Sequence, residues 1–261
     1  MIFLFSGTGN SRLVARALAS RLPERDGSRL VEIGRDNPPE FTLYDGECTV
    51  WVFPVYSWGV PPVVRRFMRS VSLGCAGAPG RHFMVCTCGD DCGLTYRMWR
   101  REVRRRGWRA AGGWSVEMPN TYVSLPGFDV DPVAVAARKL AQAPARIDEV
   151  ARAVRVGSSV DDTVRGSFPW IKTCVIYPMF TRWLMSPRPF RATDACVGCG
   201  RCAAACPMKN IAMTDDRPHW GKDCAGCLSC YHACPQHAVA YGRRTASKGR
   251  YRAPASFPAK G

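Results

Sequence analysis

Apolar positions in the first part of the chain fall into short continuous runs separated by helically spaced stripes. Met1 to Phe5 is an unbroken apolar run, read as a buried strand, and Ser11 to Leu22 carries Leu13, Val14, Ala17, Leu18 and Leu22 at helical spacing. Leu30 to Ile33 and Thr49 to Phe53 read as two more strands on either side of a polar, proline-containing loop. Pro61 to Val71 reads as a helix, since proline is tolerated in a first turn. His82 to Thr87 and Trp114 to Met118 supply further strands, with Leu94 to Arg106 and Asp131 to Val156 as helices. Strands alternating with helices predict a parallel sheet covered on both faces.

After Gly157 the pattern changes. Phe168, Trp170, Ile171, Val175, Ile176, Met179, Phe180, Trp183 and Leu184 crowd a stretch that also holds Lys172, Arg182, Pro169 and Pro178. Residues 158–190 are expected to be a connector, with a helix in it, that packs two domains together. Peripheral membrane contact through residues 167–186 is the alternative reading, because a basic, aromatic-rich segment is the signature of an interfacial helix.

Two later segments repeat one another. Ala-Cys206-Pro-Met-Lys-Asn-Ile211-Ala-Met213 aligns with Ala-Cys234-Pro-Gln-His-Ala-Val239-Ala-Tyr241, and the alternation at the end of each predicts a short strand. A pseudo-two-fold unit over 191–242 is expected, followed by a basic tail over 243–261 whose Ser, Lys, Gly, Arg and Pro content predicts disorder.

With 261 residues, 46% of them hydrophobic, the chain suits one good core plus a smaller unit. A formal charge of +16 suggests an anionic partner. Cluster thiolates and a bound phosphate would reduce that charge, and no zinc finger, helix-turn-helix or RNA-recognition pattern accompanies it, so nucleic acid is not expected. The densest basic stretch, Arg97 to Arg109, is a candidate docking face for an acidic redox partner, as is the cysteine-rich unit; a solvated helix face is the plainer reading. No secretory signal and no transmembrane run is recognised. The expected location is a reducing cytoplasm, since eight of the fourteen cysteines have metal-ligand spacing and argue against a disulfide framework.

Those eight carry the strongest chemical signal. Cys196-Val-Gly-Cys199-Gly-Arg-Cys202-Ala-Ala-Ala-Cys206-Pro207 and Cys224-Ala-Gly-Cys227-Leu-Ser-Cys230-Tyr-His-Ala-Cys234-Pro235 are both C-x2-C-x2-C-x3-C-P runs. Three thiolates from one tight loop hold three irons of a cubane, and the fourth comes from the other run. Two [4Fe-4S] clusters are expected, one on Cys196, Cys199, Cys202 and Cys234 and one on Cys224, Cys227, Cys230 and Cys206. Zinc is the weaker alternative, because zinc sites pair separated knuckles of two cysteines.

Ser6-Gly7-Thr8-Gly9-Asn10-Ser11 is the second signal. Glycines for a tight turn, hydroxyls, and a helix N-terminus beyond them make an anion site. Arg12 stands where a dinucleotide fingerprint wants its third glycine, and no Gly-Lys-Ser/Thr follows for a P-loop. The segment resembles the phosphate loop of flavodoxins, and with the cysteine runs most of the chain is similar to flavodoxin-ferredoxin fusion proteins. The resemblance implies a flavodoxin-like doubly wound sheet of order 2-1-3-4-5 over 1–157 and a small α+β 2[4Fe-4S] ferredoxin domain over 191–242. It also implies an FMN on that loop, on a second loop with Pro54, Tyr56, Trp58 and Gly59, on a third with Cys88, Gly89 and Asp90, and near Asn120. Tyr56 or Trp58 is the candidate to stack on the flavin ring, with packing at a strand end as the alternative. Cys86, Cys88 and Cys92 gather around the third loop; unreactive buried thiols are the favoured reading over a redox group.

The function expected is cytosolic electron transfer between FMN and the two clusters. A flavin-dependent reductase fed by the clusters, and a ferredoxin on a flavin-free docking scaffold, are the alternatives. No catalytic acid-base pair is recognised.

Overall fold

A computed structural model describes residues 1–24, 29–75, 77–78, 80–243 and 245–258. The first unit contains β1 (Ile2–Leu4), β2 (Leu30–Glu32), β3 (Glu40–Leu43), β4 (Thr49–Pro54), β5 (Ser72–Cys75), β6 (Arg81–Cys88), β7 (Arg109–Glu117) and β8 (Asp161–Asp162). Six of these form one sheet in the order β2-β1-β4-β6-β7-β8, with every neighbouring pair parallel. Parallel neighbours cannot be joined by a tight hairpin, so the chain returns through α1 (Asn10–Ala19), α2 (Pro62–Ser70), α3 (Thr95–Arg105) and α4 (Val133–Arg155).

Successive strand residues point to opposite faces, and both faces are covered. Phe3, Trp51, Phe53 and Met84 pack with Val64 and Phe67 of α2 and Trp99 and Val103 of α3. Ile2, Val50, Val52 and Phe83 pack on the other side with Leu13 and Leu18 of α1 and Ile147 and Val154 of α4. Burial on both sides is why these strands read as continuous apolar runs.

The segment after β2, read from the sequence as a polar loop, contains a strand. Its β3 pairs in parallel with β5 outside the main sheet. Both strands have four residues of mixed polarity, too short to give a periodic signal. Similarly, β7 begins at Arg109 instead of Trp114, because Gly112 and Gly113 hide a ladder that the β6 backbone holds.

The second unit contains β9 (Phe190–Ala192), β10 (Ile211–Thr214), β11 (Arg217–Trp220) and β12 (Val239–Tyr241). They pair antiparallel as β9 with β12 and β10 with β11. The two repeat-end strands therefore exist but take different partners. Phe190, Ile211, Leu228, Tyr231 and Val239 form a small core among them.

Between the units, residues 169–184 form a continuous helix. Pro178 has no N–H to donate, and around it the bonding widens, the Tyr177 N–H reaching the Lys172 carbonyl five residues back. The helix touches both units. Tyr177 hydroxyl donates to the Val60 carbonyl at 2.6 Å, and Tyr241 hydroxyl donates to the Leu184 carbonyl at 3.1 Å.

Of the tail expected to be disordered over 243–261, residues 244 and 259–261 lie outside the described residues, and the described part is anchored on the body of the protein through Arg250, Tyr251, Ala253 and Phe257. The Arg250 guanidinium lies 3.8 Å from the centre of the Tyr231 ring and donates to the carbonyls of Tyr231, His237 and Val239. Tyr251 hydroxyl bonds Asn10 Oδ1 at 2.9 Å, and Ala253 N–H donates to the Thr8 carbonyl at 3.0 Å. A few specific anchors outweigh a composition that favours disorder. Among the described residues, no helix is long and apolar enough to cross a membrane.

His82 gives the sheet a pH dependence. Its ring is stacked 4.9 Å from Trp108, and its Nδ1 accepts from Trp51 Nε1–H at 3.3 Å and pairs with the Thr49 hydroxyl. Burial pushes its pKa down to about 3, with the positive N-terminus adding to the effect. An unfolded histidine titrates near 6.5, so between the two values the unfolded chain binds the extra proton. Stability from this group is complete above about pH 6.5 and falls by up to about 1.4 kcal/mol per unit as the pH drops toward 3. From about pH 6.5 to 5, denaturant titrations should show wild type losing about 2 kcal/mol more than His82→Gln. Equal slopes would remove His82 from the acid response.

Candidate functional site

The eight motif cysteines gather as two groups of four. Cys196, Cys199, Cys202 and Cys234 line one small cavity. Cys224, Cys227 and Cys230 lie near enough to Cys206 for its charge to act on each. In each group the fourth thiol comes from the other run. The positive φ of Gly198, Gly200 and Gly226 turns the loops tightly enough to aim three thiols inward. Burial pushes the thiols of Cys202, Cys224 and Cys227 up, and that of Cys230 to about 12. Holding thiolates there therefore needs cations, which the irons of a cluster supply. Among the described residues, no three His, Cys, Asp or Glu side chains are arranged to hold a metal ion. Ligands of a cubane surround a larger body than one ion, so their thiols stand further apart.

Donors point at the sulfurs. Ala238 N–H reaches Cys234 Sγ at 3.2 Å, while Asn210 N–H reaches Cys206, Gly226 N–H reaches Cys224 and Trp220 Nε1–H reaches Cys230, each at 3.4 Å. Such bonds favour the more negative, reduced state of a cluster. Trp220→Phe keeps the stack on Phe190 but loses the donor. A bond of about 1 kcal/mol corresponds to about 40 mV for one electron, so the variant should lower one cluster's potential by about that much in a redox titration. An unchanged pair of potentials would show that the indole does not tune it.

The loops after β1, β4 and β6 converge at the C-terminal ends of their strands around a cavity of about 390 Å³. Ser6, Gly7, Thr8, Asn10, Ser11, Pro54, Tyr56, Trp58, Cys88, Gly89, Asp90 and Asn120 line it, as the sequence suggests. Gly9 and Gly59 do not. A Cβ on Gly9 would stand 2.9 Å from that of Ala253, and one on Gly59 would strike the Tyr177 ring, so these glycines admit the tail and the connecting helix. The side chains of Asn10 and Ser11 are already engaged: Asn10 Nδ2 donates to the Pro119 carbonyl at 2.8 Å, and Ser11 Oγ pairs with Thr87 Oγ1 at 2.8 Å. They brace loop against loop, leaving the backbone amides and the hydroxyls of Ser6 and Thr8 as the group suited to an anion.

The second loop is a tight hairpin in which Tyr56 and Gly59 exchange both backbone bonds at 3.0 Å. Ser57 and Trp58 sit at φ 44 and φ 62, as a type I′ turn requires. Lys172 lies 5.1 Å from the centre of the Trp58 ring and pairs with Asp91 at 2.7 Å. Tyr56 faces the cysteine unit, for burial first, and then the charges of Cys227 and Cys224, push its pKa well up.

Three further parts of the site are brought to it by the tertiary structure. Lys139, buried in α4, donates to the Gly89 carbonyl at 2.6 Å and pairs with Asp131 at 2.8 Å, while Asp131 accepts from Asn120 N–H at 2.9 Å. A helical lysine ordinarily reads as solvated, yet this one ties the third loop to Asp131 and, through it, to the Asn120 backbone. Ile176, Phe180 and Leu184 of the connecting helix form one cavity wall, and Gly226, Cys227 and Leu228 of the cysteine unit form another. The contact is close: a Cβ on Gly7 would stand 2.6 Å from the Cys227 carbonyl oxygen and 2.8 Å from Cys227 Cβ.

Of the third-loop cysteines, Cys88 reaches the cavity lining, and Cys86 and Cys92 lie in the core. A hydrogen bond to Cys92, together with burial, keeps Cys86 a thiol, and burial does the same for Cys88. The arginines of α3 line neither the cavity at Cys196, Cys199, Cys202 and Cys234 nor the larger one at the strand ends.

No curated protein matches this chain. Residues 188–235 match the family model of a 4Fe-4S dicluster domain, so the C-terminal unit is a ferredoxin-type domain that binds iron-sulfur clusters and supports iron-sulfur electron transfer.

Proposed function

We propose that the chain is an electron-transfer protein in which an FMN exchanges electrons with two [4Fe-4S] clusters. The observation that carries this reading is the shared wall: one cavity is lined by the Ser6 to Ser11 loop and by Cys227. The sheet order β2-β1-β4-β6-β7-β8, with β3 and β5 set apart, supports reading the body as a doubly wound flavodoxin-like fold, whose ligand crevice would open at the ends of β1 and β4. The cavity sits there, and its size suits a planar cofactor.

When bound, a flavin takes one or two electrons and each cluster takes one. The chain's residues supply placement. Ser6, Thr8 and neighbouring amides would hold the phosphate, Trp58 or Tyr56 would offer an aromatic face to the ring, and Lys139 braces the third loop through the Gly89 carbonyl. Gly7, by having no side chain, lets the phosphate loop rest on the Cys227 backbone. The cages also differ in exposure. Of the eight ligands only Cys199 is exposed, and Val197 beside it is too, whereas Cys227 faces the cavity. This ordering favours a partner that meets the Val197 to Cys199 edge over one that meets the α3 arginines.

Anaerobic purification followed by flavin and iron counts tests the proposal. About one FMN and about eight irons per chain, reduced together in a stepwise titration, are expected. Zinc in place of iron, or no flavin retained or taken up, would overturn it. Steady reduction of an unrelated organic substrate would favour a reductase.

A further inference from the structure

The helix over residues 169–184 has an inner face that accounts for only part of its sequence. Thr173 hydroxyl donates to the Trp58 carbonyl at 2.7 Å and accepts from Leu94 N–H at 2.8 Å. Tyr177 is bonded to Val60, and Phe180 packs edge-on against Tyr122 at 5.7 Å. These contacts, at helical spacing, fix the rotation of the helix about its axis. The rest of its surface carries Trp170, Ile171, Val175, Met179 and Trp183, with the tryptophans 61% and 62% exposed; Phe168, just before the first turn, is 74% exposed. Solvated helix faces are normally polar, and a contiguous apolar patch of this kind marks an interaction site.

Charge identifies what covers it. From Thr163 to Thr193 there is no Asp or Glu, while Arg165, Lys172, Arg182, Arg188 and Arg191 fall in the same stretch. Asp161 and Asp91 engage Arg165 and Lys172, and Arg182, Arg188 and Arg191 are exposed. Indole rings beside guanidinium groups suit the boundary between acyl chains and anionic headgroups, where the rings enter the apolar layer and the cations meet phosphates. A second copy docked face to face would set one basic face against another. At about 1.5 Å per residue the helix is about 24 Å long, short of the roughly 30 Å hydrocarbon layer, so it suits lying on a membrane.

We propose that this face seats the protein on an anionic membrane surface, with the helix in the plane of the headgroups. The proposal does not depend on a bound flavin. Because Ile176, Phe180 and Leu184 also line the cavity, the seated protein holds that cavity wall near the lipid.

Flotation of the cluster-loaded full chain tests it, using vesicles of phosphatidylcholine with or without about one-third phosphatidylglycerol. Binding to the anionic vesicles is expected, with at least about a tenfold weaker partition for Trp170→Ser/Trp183→Ser and for Arg182→Glu/Arg188→Glu. These residues are exposed, and unchanged cluster absorbance verifies that each variant is folded. Absence of flotation with anionic vesicles would overturn the proposal. So would equal binding by the tryptophan variant, which would mean that overall charge alone attracts the protein. Concentration-dependent dimerisation abolished by the tryptophan variant, without vesicle binding, would assign the face to a second copy instead.

Discussion

Cys227→Ala should leave the protein with one four-iron cluster in place of two, and with a weakened cavity wall. Its thiol groups with Cys224, Cys230 and Cys206, and the residue itself lines the cavity. A structural metal contributes folding energy directly, about 10–16 kcal/mol for a zinc-finger site, against a typical domain stability of about 5–15 kcal/mol. The C-terminal unit has only a small core of its own, so losing one cluster should lower its melting temperature sharply and roughly halve the iron per chain. Cys199→Ala should also lose one cluster, but at the exposed end, and should disturb flavin retention less. Iron analysis and flavin release on the two variants separate these outcomes. If Cys227→Ala kept both clusters, the grouping of ligands would be wrong.

Gly7→Ala should act on the junction alone. The added Cβ would meet the carbonyl oxygen and Cβ of Cys227, which no rotamer change can move aside, so the Ser6 to Ser11 loop and the Cys227 loop must separate. Forcing a methyl group into a packed contact costs about 1–3 kcal/mol. If that cost falls on the cofactor-bound state, flavin affinity drops roughly 5- to 150-fold, since about 1.4 kcal/mol is a factor of ten. Iron content should be unchanged, because no ligand is touched. In the proposed relay, stopped-flow reduction should then show slower exchange between flavin and clusters, since electron transfer weakens steeply with separation. Wild-type flavin affinity together with wild-type exchange would show that the junction does not govern either property.

The readable parts of the chain were those whose physics is local. Cysteine spacing is set by the geometry of one tight loop around a cubane, and apolar runs such as Thr49 to Phe53 report burial on two faces directly. The hydroxyl- and glycine-rich turn after β1 is legible for the same reason, since its amides and its helix start are within six residues. Gly9 shows where this fails. It looks like a member of the anion loop, yet its missing side chain makes room for Ala253, more than two hundred positions away, and nothing local distinguishes the two roles. Lys139 is the converse case, a residue type that favours water but is buried here because Gly89 and Asp131 satisfy its ammonium.

By itself, then, the sequence determined two cluster-binding cysteine loops, a glycine- and hydroxyl-rich turn after the first strand, and an α/β body, because each is written in patterns spanning only a few residues. Only the tertiary structure decided that the Ser6 to Ser11 loop rests on Cys227, that the tail straps across Thr8 and Asn10, and that the aromatic helix buries Thr173, Tyr177 and Phe180 while Trp170, Val175 and Trp183 face outward. Those are meetings of surfaces far apart in the chain, and their fit is set by shape and hydrogen bonding that no local pattern of polarity encodes.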